Sequence, residues 1–238
     1  MAERFFVDHP IAGDRAVLAG PEAHHLIHVM RAKAGTRVVL FDGSGAEFAA
    51  EVCDVRRSEV GLAVLDRTLV DRELPLRLVL AVALPKGDRQ KWLIEKAVEL
   101  GVSQVVPLET AHSVAQPVEQ ALQRLRRTVI EASKQCGRNR LMELSRPRTW
   151  EELIGSTADI PVRLLAHPGG QGDSSLIRNP QSSSVSSVAV AIGPEGGFSS
   201  DELSIALEAG WQQVVLGARI LRVETAAIFL VASVVQGL

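Results

Sequence analysis

A chain of 238 residues, 46% of them hydrophobic, has the length for one large domain or two modest ones and ample apolar content for a packed core. The longest apolar run, residues 226–235, is too short to span a bilayer, and the first residues lack the charged-then-apolar layout of a signal peptide, so a soluble protein without a membrane partner, cytoplasmic by default, is expected. Two distant cysteines, Cys53 and Cys136, argue against a disulfide framework, and a net charge of −2 argues against a surface coated in nucleic acid. A local basic face stays open, because Arg124, Arg126, Arg127, Lys134, Arg138, Arg140, Arg146 and Arg148 crowd one segment.

Residues 1–71 read as a small β-rich domain. Residues 36–42, 46–55 and 60–65 are strand-like, with Asp42-Gly43-Ser44-Gly45 as a turn between the first two. Ahead of them, residues 21–35 have helical spacing, with Leu26, Val29 and Met30 on one face and Gly35 as the stop. His24 and His28 would share a helix face, but no Glu or Cys stands at a supporting spacing, so no metal is expected. The charged stretch 65–75 ends in Pro75 and marks the boundary, with the second domain taking residues 72–238.

There the pattern changes to a βαβ unit with a parallel sheet: an apolar strand over 77–84, an amphipathic helix over 88–100 stopped by Gly101, and a strand over 102–108. Trp92, Ile94, Ala97 and Val98 are read as core, and Lys86, Arg89, Lys91 and Lys96 as its wet side. Pro117 opens a longer helix whose apolar stripe is Val118, Ala121, Leu122, Leu125, Val129 and Ala132 and whose end is Gly137. In the polar turn beyond it, Arg138 and Arg140 suit either the helix dipole or an RNA contact. Thr149 and Glu152 form a capping box before a short helix; residues 162–167 form a strand and residues 168–187 a flexible loop. Ser199 and Glu202 cap another helix that ends at Gly210. The last helix, 225–235, is apolar nearly all round and must be central in the fold or half of a subunit interface.

Two segments near the C-terminus carry the chemistry. Ile192-Gly193-Pro194-Glu195-Gly196-Gly197-Phe198-Ser199 follows a buried strand at 188–191 and precedes a helix. Leu216-Gly217-Ala218-Arg219-Ile220-Leu221-Arg222-Val223-Glu224-Thr225-Ala226 follows the short strand Val214-Val215 and runs into the last helix. Glycines let the backbone approach a ligand and present amide donors, and strand ends of open α/β sheets are where ligands bind. The spacing fits neither the Gly-Lys-Ser/Thr phosphate loop nor the dinucleotide fingerprint.

These two segments resemble the C-terminal signature of the RsmE family, the 16S ribosomal RNA uridine-N3 methyltransferases of the SPOUT class. His24-His25-Leu26, Val29, Arg31 and Gly35 with Phe41-Asp42-Gly43 are similar to the family's PUA-like RNA-binding domain, and residues 131–140 to its Gln-Cys-Gly-Arg segment. The resemblance implies an α/β SPOUT-type parallel sheet with a C-terminal trefoil knot, preceded by a small β-rich PUA-like domain. It implies S-adenosyl-L-methionine (SAM) as cofactor, 16S rRNA in the assembled small subunit as partner, and a homodimer. Carried onto this chain, the cofactor pocket is Leu165, Ala166, His167, Ile192, Gly193, Pro194, Gly196, Gly197, Leu216, Gly217, Ile220, Leu221, Thr225 and Ala226. Arg31, Lys33, Arg138 and Arg140 become RNA-binding candidates, with Arg37 beside them.

Arg222 and Glu195 are the catalytic candidates. Arg222 would stabilise a uracil anion or the RNA backbone; Glu195 would bind the cofactor's amino group or assist proton removal, N3 being a weak nucleophile until its proton leaves. Pairing of these two with neighbouring charges to fix the loops stands open beside that. So do a SPOUT enzyme with another target, such as tRNA ribose 2′-oxygen, and a non-catalytic RNA-binding protein.

Overall fold

Period-two alternation organises the N-terminal strands: in Ala46–Val55 (β4), Ala46, Phe48, Ala50 and Val52 point inward while the residues between them do not. The computed structural model describes residues 3–113, 119–168 and 185–237. The chain divides into two compact units, Met1–Glu73 with Ile130–Leu141, and Leu74–Val129 with Met142–Leu238.

In the first unit, Arg4–Phe6 (β1), Arg15–Ala19 (β2), Arg37–Phe41 (β3), β4 and Glu59–Leu69 (β5) form a sheet in the order β1-β3-β4-β5-β2. The pairs β3/β4, β4/β5 and β5/β2 are antiparallel and β1/β3 is parallel. Register shifts in β4 between Ala49 and Ala50 and between Val52 and Asp54 bend the sheet. The turn after β3 is fixed by Asp42, whose carboxylate accepts from the amides of Ser44 at 3.0 Å and Ile11 at 2.9 Å. Burial would raise the Asp42 carboxyl, but these bonds hold it below the usual carboxylate value.

The helix expected over 21–35 is shorter and of two kinds. Gly20–His24 (α1) is α-helical, and His25–Val29 forms a π turn in which the Met30 amide donates to the His25 carbonyl at 3.1 Å. The extra residue per turn rotates the apolar stripe, so Leu26 is fully buried while Val29, expected on the same face, is 67% exposed.

Residues 130–141 join this unit, which a linear division at residue 71 does not foresee. Arg4 and Arg72 both donate to Glu47 and to the Gly137 carbonyl, and Asn139 donates to Glu47 and to the Val70 carbonyl. Lys134 pairs with Glu22 at 3.0 Å. Arg138 is 4% exposed, its guanidinium held by Glu73 with Nε at 3.0 Å from Oε1.

The second unit is a parallel sheet. Arg77–Val82 (β6) leads through Asp88–Glu99 (α2) to Gln104–Glu109 (β7), and Glu119–Cys136 (α3) begins in this unit and ends in the first. Glu143–Leu144 (β8), Arg148–Thr149 (β9), Trp150–Ser156 (α4), Val162–Ala166 (β10), Ser187–Ile192 (β11), Ser200–Glu208 (α5), Gln212–Val214 (β12) and Val223–Gln236 (α6) follow. The strand order is β12-β10-β11-β6-β7-β8, with β9 beside β7, and every pair is parallel.

The uninterrupted apolar runs of β6 and β11 are covered on both faces. Val79, Ala81, Ala189 and Ala191 pack with Trp150, Leu153, Ala206 and Trp211 on one side. On the other, α6 packs against β6, β11 and α2. On α2 the buried stripe is Leu93, Ile94, Ala97 and Val98; Trp92 lies off it and is 43% exposed, where a core position was expected. The last helix buries Val223, Ala226, Ala227, Leu230, Val231 and Val234 but leaves Phe229 49% exposed. Both capping boxes form as expected, at Thr149/Glu152 and Ser199/Glu202. Pro117, Val118 and most of the loop expected at 168–187 lie outside the described residues.

Burial tends to raise the Glu47 carboxyl, but hydrogen bonds from Arg72, Arg4 and Asn139, with the charge of Arg4, bring it below its ordinary value of 4.5. Such a group stabilises the folded state above that pH, and the contribution is lost as pH falls through the lower folded-state value. Glu47→Gln should therefore be less stable than the parent at neutral pH and decline less steeply below pH 4.5 in urea-unfolding series. Parallel acid limbs in the two proteins would contradict this.

Candidate functional site

Three loops leave the carboxyl ends of adjacent strands β10, β11 and β12 and enclose a cleft of about 640 Å³, part of it open to solvent. From the β10 loop come Ala166, His167 and Pro168; from the β11 loop Ile192, Gly193, Pro194, Glu195 and Gly197. The loop after β12 gives Val215, Leu216, Gly217, Arg219, Ile220 and Leu221, and α6 adds Val223 and Ala226.

The glycines have separate reasons to be glycine. A Cβ on Gly193 would meet the Phe198 ring at 3.0 Å, and one on Gly196 would meet the His112 Cβ at 3.0 Å. Gly217, at φ +111°, adopts a backbone that L side chains rarely do, and a Cβ there would meet nothing within 4 Å.

The glycine loop is held from two sides. The His112 Nδ1 lies 3.1 Å from the Gly196 carbonyl and 3.2 Å from that of Gly197; as both are acceptors, Nδ1 carries the proton and donates. The buried Glu202 accepts from the Ala111 amide and from the Ser199 amide, each at 2.8 Å, while Ser199 Oγ accepts from the Glu202 amide. Trp150 Nε1 donates to the Glu202 carbonyl at 2.9 Å, and its ring packs at a tilt against Phe198, ring centroids 4.7 Å apart. The loop after β7 and the loop after β11 thus share one carboxylate.

On the opposite side, Arg89 of α2 lies 3.7 Å from Glu195 and 3.5 Å from the nearly buried Glu224 of α6. The wet-side position expected for Arg89 is therefore a bridge between two elements of the site. His167 lines the cleft and has a buried Nδ1 with no hydrogen-bond partner among the described residues.

Of the expected pocket residues, Ala166, His167, Ile192, Gly193, Pro194, Gly197, Leu216, Gly217, Ile220, Leu221 and Ala226 line one cleft. Three do not. Leu165 is fully buried in the core with Trp150, because alternation along β10 turns its side chain into the sheet's packed face. Gly196 sits under His112, and Thr225 is exposed on α6 outside the lining. Glu195 lines the cleft, whereas Arg222 is the exposed N-cap residue of α6, with its backbone turned to start the helix; Arg219 lines the cleft in its place. Pro168, Val215, Arg219 and Val223 were not singled out from the sequence, although three of them lie within or beside the second glycine segment.

Among the RNA candidates, Arg31, Lys33 and Arg140 are exposed. Arg31 has φ +54°, and the Arg140 guanidinium lies over Gly45. Arg138 is corrected: engaged with Glu73 and buried, it fixes the first unit and has no face to offer a phosphate. The His24 and His28 rings meet at a tilt with centroids 4.5 Å apart, and among the described residues there is no cluster that could hold a metal ion.

A glycine-walled cleft at the carboxyl ends of a parallel sheet accords with what comparison with known proteins finds. Residues 72–235 match the RNA methyltransferase domain family and residues 18–60 the RNA methyltransferase PUA domain family, which makes this chain an RNA methyltransferase with a SPOUT-type α/β fold and a PUA-like domain. It is 30% identical to the ribosomal RNA small subunit methyltransferase E of Bacillus subtilis, over 91% of this chain and 88% of the relative. With the Synechocystis protein of the same name it shares 33% identity over 88% of this chain and 69% of that one. The chain belongs to the ribosomal RNA small subunit methyltransferase E family. A crystal structure of that enzyme from Neisseria gonorrhoeae bound to S-adenosyl methionine superposes with a TM-score of 0.87 at 28% identity, covering 98% of this chain and 96% of that one. A Legionella pneumophila methyltransferase in complex with bound SAM gives 0.89 at 29% identity, covering 98% and 97%.

Glu202→Ala keeps the Ser199 Oγ cap, which accepts from the backbone amide, but removes both carboxylate anchors, to Ser199 and Ala111, at once. It should cost about 1–3 kcal/mol in urea unfolding. A change below about 0.5 kcal/mol would contradict the anchoring role.

Proposed function

We propose that this protein transfers a methyl group from SAM to N3 of a specific uridine in 16S ribosomal RNA. The observation that carries the reading is the cleft itself: three loops at neighbouring strand ends, two of them glycine-bearing. Apolar walls from Ile192, Leu216, Leu221 and Ala226 suit an adenine ring, and backbone groups of the glycine loops suit its polar edge. The residues present fit the cofactor.

SAM, when bound, supplies a methyl group on a positively charged sulfur that departs as a neutral thioether. The protein's task is alignment and charge management. N3 lies on the Watson–Crick edge, so the uridine must be unpaired or turned out of its stack. Exposed Arg31, Lys33 and Arg140 are proposed to hold RNA phosphates, with residues 1–71 serving as the RNA-binding domain and 72–238 as the catalytic one.

The assembled small subunit as substrate, a homodimer and a cytoplasmic setting belong to the same proposal, as does a trefoil crossing of the C-terminal loops. Support for the dimer is the apolar surface that α6 and its packing partner α2 leave exposed at Phe229 and Trp92.

Calorimetry should show one SAM site per chain, and Gly217→Ala, which strains the loop and adds a methyl group at the cleft, should weaken it about tenfold or 1.4 kcal/mol. Mass mapping of 16S RNA from a strain lacking the protein should show loss of one N3-methyluridine. No SAM binding would overturn the enzyme reading in favour of an RNA-binding protein; loss of a ribose methyl would point to another target atom.

A further inference from the structure

A second cleft, shallow and largely open to solvent, adjoins the first and shares Pro194 and Glu195 with it. Its walls come from the strand ends on the other side of β11: Leu84, Pro85 and Lys86 after β6, and Leu108 at the end of β7. The lining is more polar than apolar: Leu84 gives one apolar edge beside the nearly buried Leu108, and Lys86 and Glu195 bring opposite charges to the mouth.

The geometry is what a two-substrate transfer needs. Reacting atoms must come within roughly 3–3.5 Å, so an acceptor ring has to occupy space that shares a wall with the donor cleft. Resting on the methyl-transfer reading above, we propose that this second cleft is the acceptor-base subsite, with Lys86 as the catalytic cation for a ring oxygen and Glu195 as the proton acceptor.

Three observations support the roles. Lys86 makes no ion pair or hydrogen bond among the described residues, whereas its neighbours Arg89, Lys91 and Lys96 all pair with carboxylates. Glu195 belongs to both clefts and is aimed by Arg89, which is itself tied to Glu224; Arg89 is a positioning residue. Arg222, the cation expected from sequence, lines neither cleft.

The step balances. The N3–H bond breaks and its proton forms an O–H bond on Glu195, leaving negative charge spread over N3 and the two ring oxygens, where the Lys86 ammonium faces it. The electron pair on N3 then forms the new N–C bond while the donor's C–S bond breaks, its pair passing to sulfur. A cation brought to a developing anion is worth about 10²-fold in rate.

The full-length protein with unmethylated small subunits tests this. Lys86→Met should lower kcat about 100-fold with KM changed less than about threefold and SAM affinity by calorimetry unchanged, and Lys86→Arg should recover most of the loss. Glu195→Gln should be slow at neutral pH and regain rate as pH rises, since hydroxide then removes the N3 proton. In a readout independent of turnover, ¹⁹F NMR of an RNA fragment carrying 5-fluorouridine at the target should show bound N3 titrating below the free RNA, an effect absent with Lys86→Met. Full kcat in Lys86→Met, an unshifted titration, or a loss of SAM affinity equal to the loss of rate would overturn the assignment. A parent protein that binds no SAM would overturn the underlying reading instead.

Discussion

The carboxylate of Glu202 governs the arrangement of the site. One oxygen receives the amide of Ala111 and the other that of Ser199, so the first turn of α5, the glycine loop before it and the loop after β7 are fixed by a single buried group. Glu202 is buried and both bonds are part-buried, so losing either amide removes a charge-assisted hydrogen bond that water only partly replaces. His112 then sits where it can donate to two glycine-loop carbonyls, and Phe198 closes beneath Gly193 against Trp150. A loop made mostly of glycine would otherwise have large conformational freedom; here its shape is imposed by neighbours, which is how a backbone-lined pocket can be rigid.

From that anchoring the chemistry follows in order. Strand β11 stands between β10 and β6, so the loop at its end faces one cleft on each side. Glu195 projects from that loop and is steadied by Arg89, which draws its own orientation from Glu224 on α6. Cleft wall, charged edge and last helix are thus linked through a short run of contacts. The first unit uses charge differently. Arg4, Arg72, Lys134 and Arg138 are engaged with Glu47, Glu22 and Glu73 in holding residues 130–141 to the sheet, so much of the basic segment is structural.

Much of this was legible in the sequence where the determinant is local. The apolar runs of β6 and β11, the capping boxes at Thr149 and Ser199, and the strand-glycine-helix segments are set by near neighbours, and the glycine segments also located most of the cleft. What escaped depends on partners far along the chain. Arg138 looks solvent-facing until Glu73 is placed beside it, and His112 carries no motif although it touches a loop more than eighty residues away. Val29 was misplaced because a π turn adds a residue that a 3.6-residue period cannot anticipate. The Leu165 side chain lies in the core for a strand-specific reason: its neighbour Ala166 faces the cleft, and alternation along β10 turns Leu165 the other way.

The most direct test of the account is a crystal structure of this protein grown with SAM. The account predicts the adenosine between the Gly193–Gly197 and Leu216–Leu221 loops, with the methyl group directed past Pro194 and Glu195 toward the Lys86 cleft. Ligand bound elsewhere, or a methyl group pointing away from that cleft, would contradict it.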